Sequence, residues 1–276
     1  MTGQAVSTTC VAPLAGGGRL LSSNRKGFTL AEGATHVAML NSQRRFGFTL
    51  AEVLVTLGII GVVSAMTVPS LIQNHQRSSY AVSAHKVYNE MQQALTQYLT
   101  DNNSVGINET GLTNADLDNS VLPFMKKYFK VVNDCGDKTT PCFANNYKSL
   151  SGTSITAGRK ETLRCVTIAS GASICMQRFT GDSDTGFGYI YVDTNGPKGP
   201  NIGCRDYWRM FYFSDASVDG YRLSPGCKKD GTKCPNGGTL QAQREYDWSA
   251  GCGDPNDPED IDGIGRLIGN GWVMDY

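Results

Sequence analysis

Residues 53–72 form a run of twenty positions without a single charged side chain. As a helix rising about 1.5 Å per residue, that run is about 30 Å long, the thickness of a bilayer's hydrocarbon core. Arg44 and Arg45 precede it and most of the cysteines follow it. The positive-inside rule then puts the N-terminus in the cytoplasm and the C-terminus outside. Cysteine usage points the same way. Of nine cysteines only Cys10 precedes residue 48, leaving Cys135, Cys142, Cys165, Cys175, Cys204, Cys227, Cys234 and Cys252. None has C-x-x-C spacing, and His36, His75 and His85 lie far away in sequence, so an extracytoplasmic disulfide framework is favoured over metal.

Length, 276 residues with 40% apolar content, allows one or two domains. Charge is balanced at 25 basic and 25 acidic residues, but Arg19, Arg25, Lys26, Arg44 and Arg45, against Glu32 alone, precede residue 48. The remainder carries 20 basic and 24 acidic residues. A mildly acidic head lacks the broad basic field of nucleic-acid binders, which argues against that partner.

A secretory signal is cut after its apolar run, and Val63-Ser64-Ala65 offers a loosely suitable site. The other end of the run speaks against this. Gly47 directly precedes the aromatic Phe48, and Glu52 follows just before the uncharged stretch. A carboxylate near the start of a span costs about 2.5 to 3.5 kcal/mol on insertion scales, so Glu52 needs a partner or a function. Cleavage between Gly47 and Phe48 creates an amino group that meets this need.

Gly47, Phe48, Thr49, Leu50 and Glu52 closely resemble, residue by residue, the class III signal of type IV pilins and type II secretion pseudopilins. The resemblance is strong over residues 44–73 and looser along the following helix. It implies that a prepilin peptidase cuts after Gly47 on the cytoplasmic side and methylates the amino group of Phe48. It also implies that the apolar segment is retained and that Glu52 neutralises the Phe48 amine of an adjacent protomer during assembly. The implied partners are other pilin or pseudopilin subunits, the peptidase, a filament assembly platform and the membrane. The implied location is the bacterial cytoplasmic (inner) membrane, single-pass with the C-terminus outside, and then a periplasmic or extracellular filament.

Three segments follow: a basic leader, 1–47, that is removed; a stalk helix, 48–103, whose first half spans the membrane; and an extracytoplasmic head, 104–276. Gly27-Phe28-Thr29-Leu30-Ala31-Glu32 repeats residues 47–52 letter for letter. Only the second copy leads into a span, so the first reads as a duplicated leader fragment. Initiation near Met39 would shorten an otherwise long leader to an ordinary basic peptide.

Within the span, Gly58, Gly61, Ser64 and Ala65 reduce bulk, and Gly61-x-x-x-Ala65 permits close helix approach. Pro69 removes a backbone donor and is expected to kink or locally open the helix. Beyond it, Tyr80, Ala84, Val87, Met91, Ala94 or Leu95, and Tyr98 recur at helical spacing. One helix is therefore expected over residues 49–100, about 75 to 80 Å long, its outer half buried against the head.

The expected fold is α+β, a long N-terminal helix packed on a small antiparallel sheet with disulfide-bonded loops. Residues 105–119 read as a polar connection and 121–129 as a short helix. Residues 163–168 and 173–179 flank Ser170-Gly171, a hairpin signal. Centring that turn on Ser170 sets Cys165 opposite Cys175, within disulfide range. Further strands are expected at 187–192 and 208–214, with 221–223 as a return. Short loops suit Cys135 with Cys142 and Cys227 with Cys234, leaving Cys204 for Cys252, but eight cysteines admit roughly a hundred pairings. A Cys204–Cys252 bridge would staple the C-terminal segment to the sheet, as the family resemblance implies.

Asp193-Thr194-Asn195-Gly196 places oxygen-bearing side chains at alternate positions before a glycine turn, like the opening of a calcium loop. It lacks the continuation and terminal glutamate of an EF-hand, and Lys198 adds repulsion. Some pseudopilins bind calcium in their heads; Asp193, Asn195 and Asp206 are the candidate ligands here, against a preferred reading as a structural Asn-Gly turn. No other cofactor is implied. No H-E-x-x-H, G-x-S-x-G or phosphate-binding loop is present, so an enzyme is not expected. The function indicated is a structural subunit, a minor pilin or pseudopilin, lifted by a separate assembly ATPase. The alternative is a membrane-anchored, disulfide-rich binding protein that does not polymerise, and a secreted hydrolase trails behind it.

Overall fold

The computed structural model describes residues 47–155, 162–182, 186–220, 238–254 and 261–276. The leader through Phe46, Cys227, Cys234 and the expected return at 221–223 lie outside the described residues. The chain divides into a unit ending at Val53 and a second unit from Leu54 to Tyr276.

Helix α1 runs from Leu50 to Asp101, 52 residues, or about 78 Å at 1.5 Å per residue. Its apolar first half touches little of its own chain: Leu54, Leu57, Ile59, Ile60, Val62 and Leu71 are all exposed. Among the described residues it is the one helix long and apolar enough to cross a membrane. The helix continues without a break through Pro69. Proline removes one rung of the ladder, and the intact rungs on either side keep the turn helical.

The outer half of α1 buries Ala81, Ala84, Val87, Met91, Ala94 and Leu95. These positions return every three or four residues, the signature of one helical face. They pack on a six-stranded antiparallel sheet of order β1-β4-β5-β6-β7-β8. Its strands are β1 Val131–Gly136, β4 Arg164–Ile168, β5 Ser173–Met176, β6 Phe187–Asp193, β7 Tyr207–Phe213 and β8 Val218–Asp219. A separate ribbon pairs β2 Tyr147–Lys148 with β3 Ser154–Ile155. Return of the chain after β7 comes at β8, directly after a turn at residues 214–217.

Side chains alternate across the sheet because strand residues point to opposite faces in turn. Val166, Ile168, Ile174, Met176, Ile190, Val192, Trp208, Met210 and Tyr212 join the core shared with α1. Cys165, Cys175, Tyr191 and Tyr207 belong to a second core on the other face, with Phe143, Tyr147 and Ile261. Every residue of β7 is buried, which explains its unbroken apolar sequence around Arg209. Gly188 sits opposite Tyr212 in the β6–β7 register. A Cβ there would lie 2.1 Å from the tyrosine ring, so only glycine leaves room for it.

A short helix α2, Val121–Tyr128, caps the far end of α1, where Tyr98 meets Phe124 edge-on at 5.2 Å. Residues 105–119 hold two 3-10 turns rather than plain loop. Two further helices, α3 Leu240–Ser249 and α4 Ile264–Gly269, close the sheet beyond β8. The segment after α4 returns to α1, stacking Trp272 on His85 with ring centroids 4.3 Å apart.

Disulfides join Cys135 to Cys142, Cys165 to Cys175 and Cys204 to Cys252. Cys165 and Cys175 are direct partners in the β4–β5 register, their Cα atoms 4.0 Å apart. The Cys204–Cys252 bridge ties the β6–β7 connection to the segment after α3.

Candidate functional site

Gly47 to Val53 form the first site. Phe48 is 86% exposed, and nothing lies within 4 Å of where a Cβ on Gly47 would sit. Among the described residues no steric demand requires glycine at position 47.

Thr49 and Glu52 form a reciprocal capping box at the start of α1. The Thr49 amide donates to Glu52 Oε2 at 2.8 Å, the Thr49 hydroxyl donates to the same oxygen at 2.8 Å, and the Glu52 amide donates back to Thr49 Oγ1 at 3.2 Å. Two of the donors that a helix start leaves orphaned are thereby satisfied. Sequence reasoning assigned Glu52 an intermolecular partner and gave Thr49 no role. The T-x-x-E spacing before an apolar run was the available signal.

Residues 42–68 match the prokaryotic N-terminal methylation motif. The motif therefore covers Gly47, Phe48, Glu52 and most of the apolar half of α1. The chain is also 32% identical over 73 residues to type II secretion system core protein G of Aeromonas hydrophila, a stretch that is 26% of this chain and 50% of that protein. It is 31% identical over 85 residues to type II secretion system core protein G of Pectobacterium carotovorum subsp. carotovorum, covering 31% of this chain and 54% of that protein. The chain thus spans about half the length of these curated relatives. No solved structure matches it.

A second candidate site lies at the β6–β7 connection. Asp193 and Asp206 are fully buried. Asp193 accepts from the Tyr147 hydroxyl and, at 3.1 Å, from the Asn195 amide. Asp206 accepts from the amides of Asn201 at 2.8 Å and Ile202 at 2.6 Å. Burial pushes the Asp193 carboxyl up to about 7, against the hydrogen bonds from Tyr147 and Asn195 and with help from the Asp206 charge. Burial also raises Asp206, opposed by its amide donors and by Arg205.

Asn195 donates from its side-chain amide to the Gly199 carbonyl at 3.3 Å. The side-chain oxygens of Asn195 and Asn201 are buried without a hydrogen-bond partner. Among the described residues no three acidic, histidine or cysteine side chains converge. Any cation here would therefore draw on the two carboxylates together with amide oxygens, a hard-oxygen donor set of the kind calcium takes. Sequence reasoning missed Tyr147, which reaches Asp193 from 46 positions away.

Proposed function

We infer that this chain is a filament subunit of the type IV pilus or type II secretion kind. In this reading a prepilin peptidase removes the leader after Gly47 and methylates Phe48. The chain waits in the cytoplasmic membrane with its head outside. An assembly platform and a separate ATPase then lift it into a filament, where stalks pack together and heads form the surface. Many surface loops on the head favour a minor pilin or pseudopilin over a densely repeated major subunit.

The observation that carries this reading is one helix with two halves. Its motif-bearing half is bare and carries no charge between Glu52 and Gln73, and its other half packs one face into the core of the head. A bare apolar rod about 30 Å long needs either lipid or copies of itself, and a filament subunit uses each in turn.

Mass spectrometry of the mature N-terminus is the test. A chain beginning with methylated Phe48 supports the reading. Cleavage after Ala65 would mean a secreted head, and an uncut chain would mean a simple anchor.

At the β6–β7 connection a structural Asn-Gly turn is the preferred reading, and calcium held by Asp193, Asn195 and Asp206 is its alternative. The unpaired side-chain oxygens of Asn195 and Asn201 support the calcium alternative.

A further inference from the structure

We propose that the cleft between the outer half of α1 and the β4–β5 turn is a binding site for one neutral sugar ring of a glycan.

The cleft has a volume of about 250 Å³, just below the roughly 300 to 1,000 Å³ of pockets that take drug-sized ligands. One small ring fills it. Its floor is apolar, made of Ala94 on α1, Phe129 after α2 and Ile168 at the end of β4. Glu90, Gln93 and Gln97 line it from α1, and Lys130 and Ser170 line it from the head. Gln93 and Gln97 are one helical turn apart, so their carboxamides are neighbours on one face.

Backbone contacts fix both walls without any ligand. The Ala169 amide donates to the Lys130 carbonyl at 2.9 Å, tying the β4–β5 turn to the segment after α2. Inside the turn the Gly171 amide donates to the Ile168 carbonyl at 2.9 Å, and the Ile168 amide donates to the Ala172 carbonyl at 2.9 Å. Gly171 has a φ of 90°, a conformation that glycine alone takes readily.

The polar groups around this floor are unspent. Among the described residues the side chains of Gln93, Gln97, Lys130 and Ser170 make no hydrogen bond or ion pair, and all four are exposed. Glu90 meets Lys86 at 4.0 Å, a solvated pair worth little. Adjacent polar side chains are engaged. Gln92 takes the Ala216 carbonyl and the Val218 amide, Thr96 and Thr100 donate back to carbonyls of α1, and the Tyr128 hydroxyl donates to Asp101.

The mixture of groups selects the ligand. Lys130 only donates, Glu90 only accepts, and the two carboxamides and the serine hydroxyl do both. An anion would face Glu90 and a cation would face Lys130. A hydroxyl both donates and accepts, so a neutral ring bearing several hydroxyls can answer all five groups at once. The C–H face of a pyranose suits the floor of Ala94, Phe129 and Ile168. An extended peptide spreads its donors and acceptors along a chain longer than this volume holds. Nothing in the site uses the apolar half of α1, so it stands or falls apart from the filament reading.

The test is magnetic resonance of the mature full chain, isotope-labelled on glutamine, in a detergent without a sugar headgroup. Glucose, galactose and N-acetylglucosamine are the probes. At least one should shift the side-chain signals of Gln93 and Gln97 saturably at millimolar concentration and leave that of Gln92 in place. Preference for N-acetylglucosamine supports the site and points to an amino-sugar polymer such as a cell wall. Preference for a plain hexose supports it and points to a surface polysaccharide. Gln93→Ala with Gln97→Ala should weaken binding by about tenfold, the loss of one or two hydrogen bonds, read by saturation transfer to the sugar. Both positions are exposed, and unchanged signals elsewhere in the head check that the variant is folded. Glu90→Gln should admit glucuronate, which the unmodified chain should refuse. Absence of saturable shifts with all three sugars overturns the proposal. Tighter binding of glucuronate or glucosamine than of the neutral sugars also overturns it, because the cleft would then read charge. Equal shifts with triglycine would assign the cleft to peptide and overturn it too. The filament reading is tested separately by the mass of the mature N-terminus, so either can fail alone.

Discussion

Arg209 and Asp262 form a bidentate ion pair that is almost wholly out of water, 4% and 0% exposed at their side chains. Arg209 points from the middle of β7 to the face away from α1, and Asp262 lies just before α4. The pair fastens the C-terminal segment to the central strand. Removing one partner strands the other as a buried, uncompensated charge, which costs about 3 to 5 kcal/mol. Asp262→Ala should lose stability on that scale in denaturant unfolding of the mature chain. Arg209→Met combined with Asp262→Leu should lose clearly less, because no charge is then left behind.

Gln92 links the stalk to the head through a different device. Its side-chain amide donates to the Ala216 carbonyl at 2.7 Å and its oxygen accepts from the Val218 amide at 3.0 Å. One side chain thus takes both backbone groups of the β7–β8 turn, as a neighbouring strand would. Gln92→Ala leaves both without that partner, at an expected cost of about 1 to 3 kcal/mol. Hydrogen exchange at residues 214–219 should accelerate before the rest of the sheet. Unchanged exchange there would show that the turn holds without α1.

The stalk and the central hairpins were legible because their patterns are local. Ala84, Val87, Met91 and Leu95 recur at helical spacing, and the expected helix end at Thr100 lies one residue from Asp101. Ser170-Gly171 fixed the β4–β5 register, and with it the facing of Cys165 and Cys175. Helix α3 was not legible, since it buries Gln243 and Asp247 rather than an apolar stripe. Strand β1 is an edge with Val132, Asn133 and Asp134 all exposed, so it shows no alternation. At the head site the acids were visible as a polar loop. Tyr147 was not, because its hydroxyl belongs to a strand of the small ribbon that only the fold brings near. At the stalk's start the Thr49–Glu52 box was present in the letters but eclipsed by the stronger cleavage signal.

Asp193 makes the head's stability depend on pH with a definite sign. Its folded-state carboxyl titrates at about 7, above the unfolded value of about 3.9. The folded form therefore binds more protons between those limits. Its contribution is fully present below about pH 4 and is lost as pH rises through 7. Calcium would act oppositely, since it binds the ionised carboxylates and would stabilise most above pH 7. Melting temperatures in calcium and in chelator should diverge at pH 8 and converge near pH 5. Asp193→Asn should flatten the pH dependence and remove the calcium response. Identical melting in calcium and chelator at pH 8 would eliminate the metal site while leaving the proton linkage intact.

Glu52 separates processing from assembly. In the single chain its carboxylate is held by Thr49, a local arrangement that needs no second subunit. In the filament reading the same carboxylate must also answer the Phe48 amine of a neighbour, a charge pair worth far more out of water than in it. Glu52→Ala leaves Gly47 and Phe48 untouched, so cleavage and methylation should proceed, and the mature mass should shift only by the substitution. Incorporation into filaments should fall sharply, measured as the sheared filament fraction against the membrane pool. Glu52→Gln keeps the shape and hydrogen-bonding capacity of the side chain but not its charge. If Glu52→Gln assembles normally while Glu52→Ala does not, capping of α1 is what assembly needs. If both fail with cleavage intact, the charge is required.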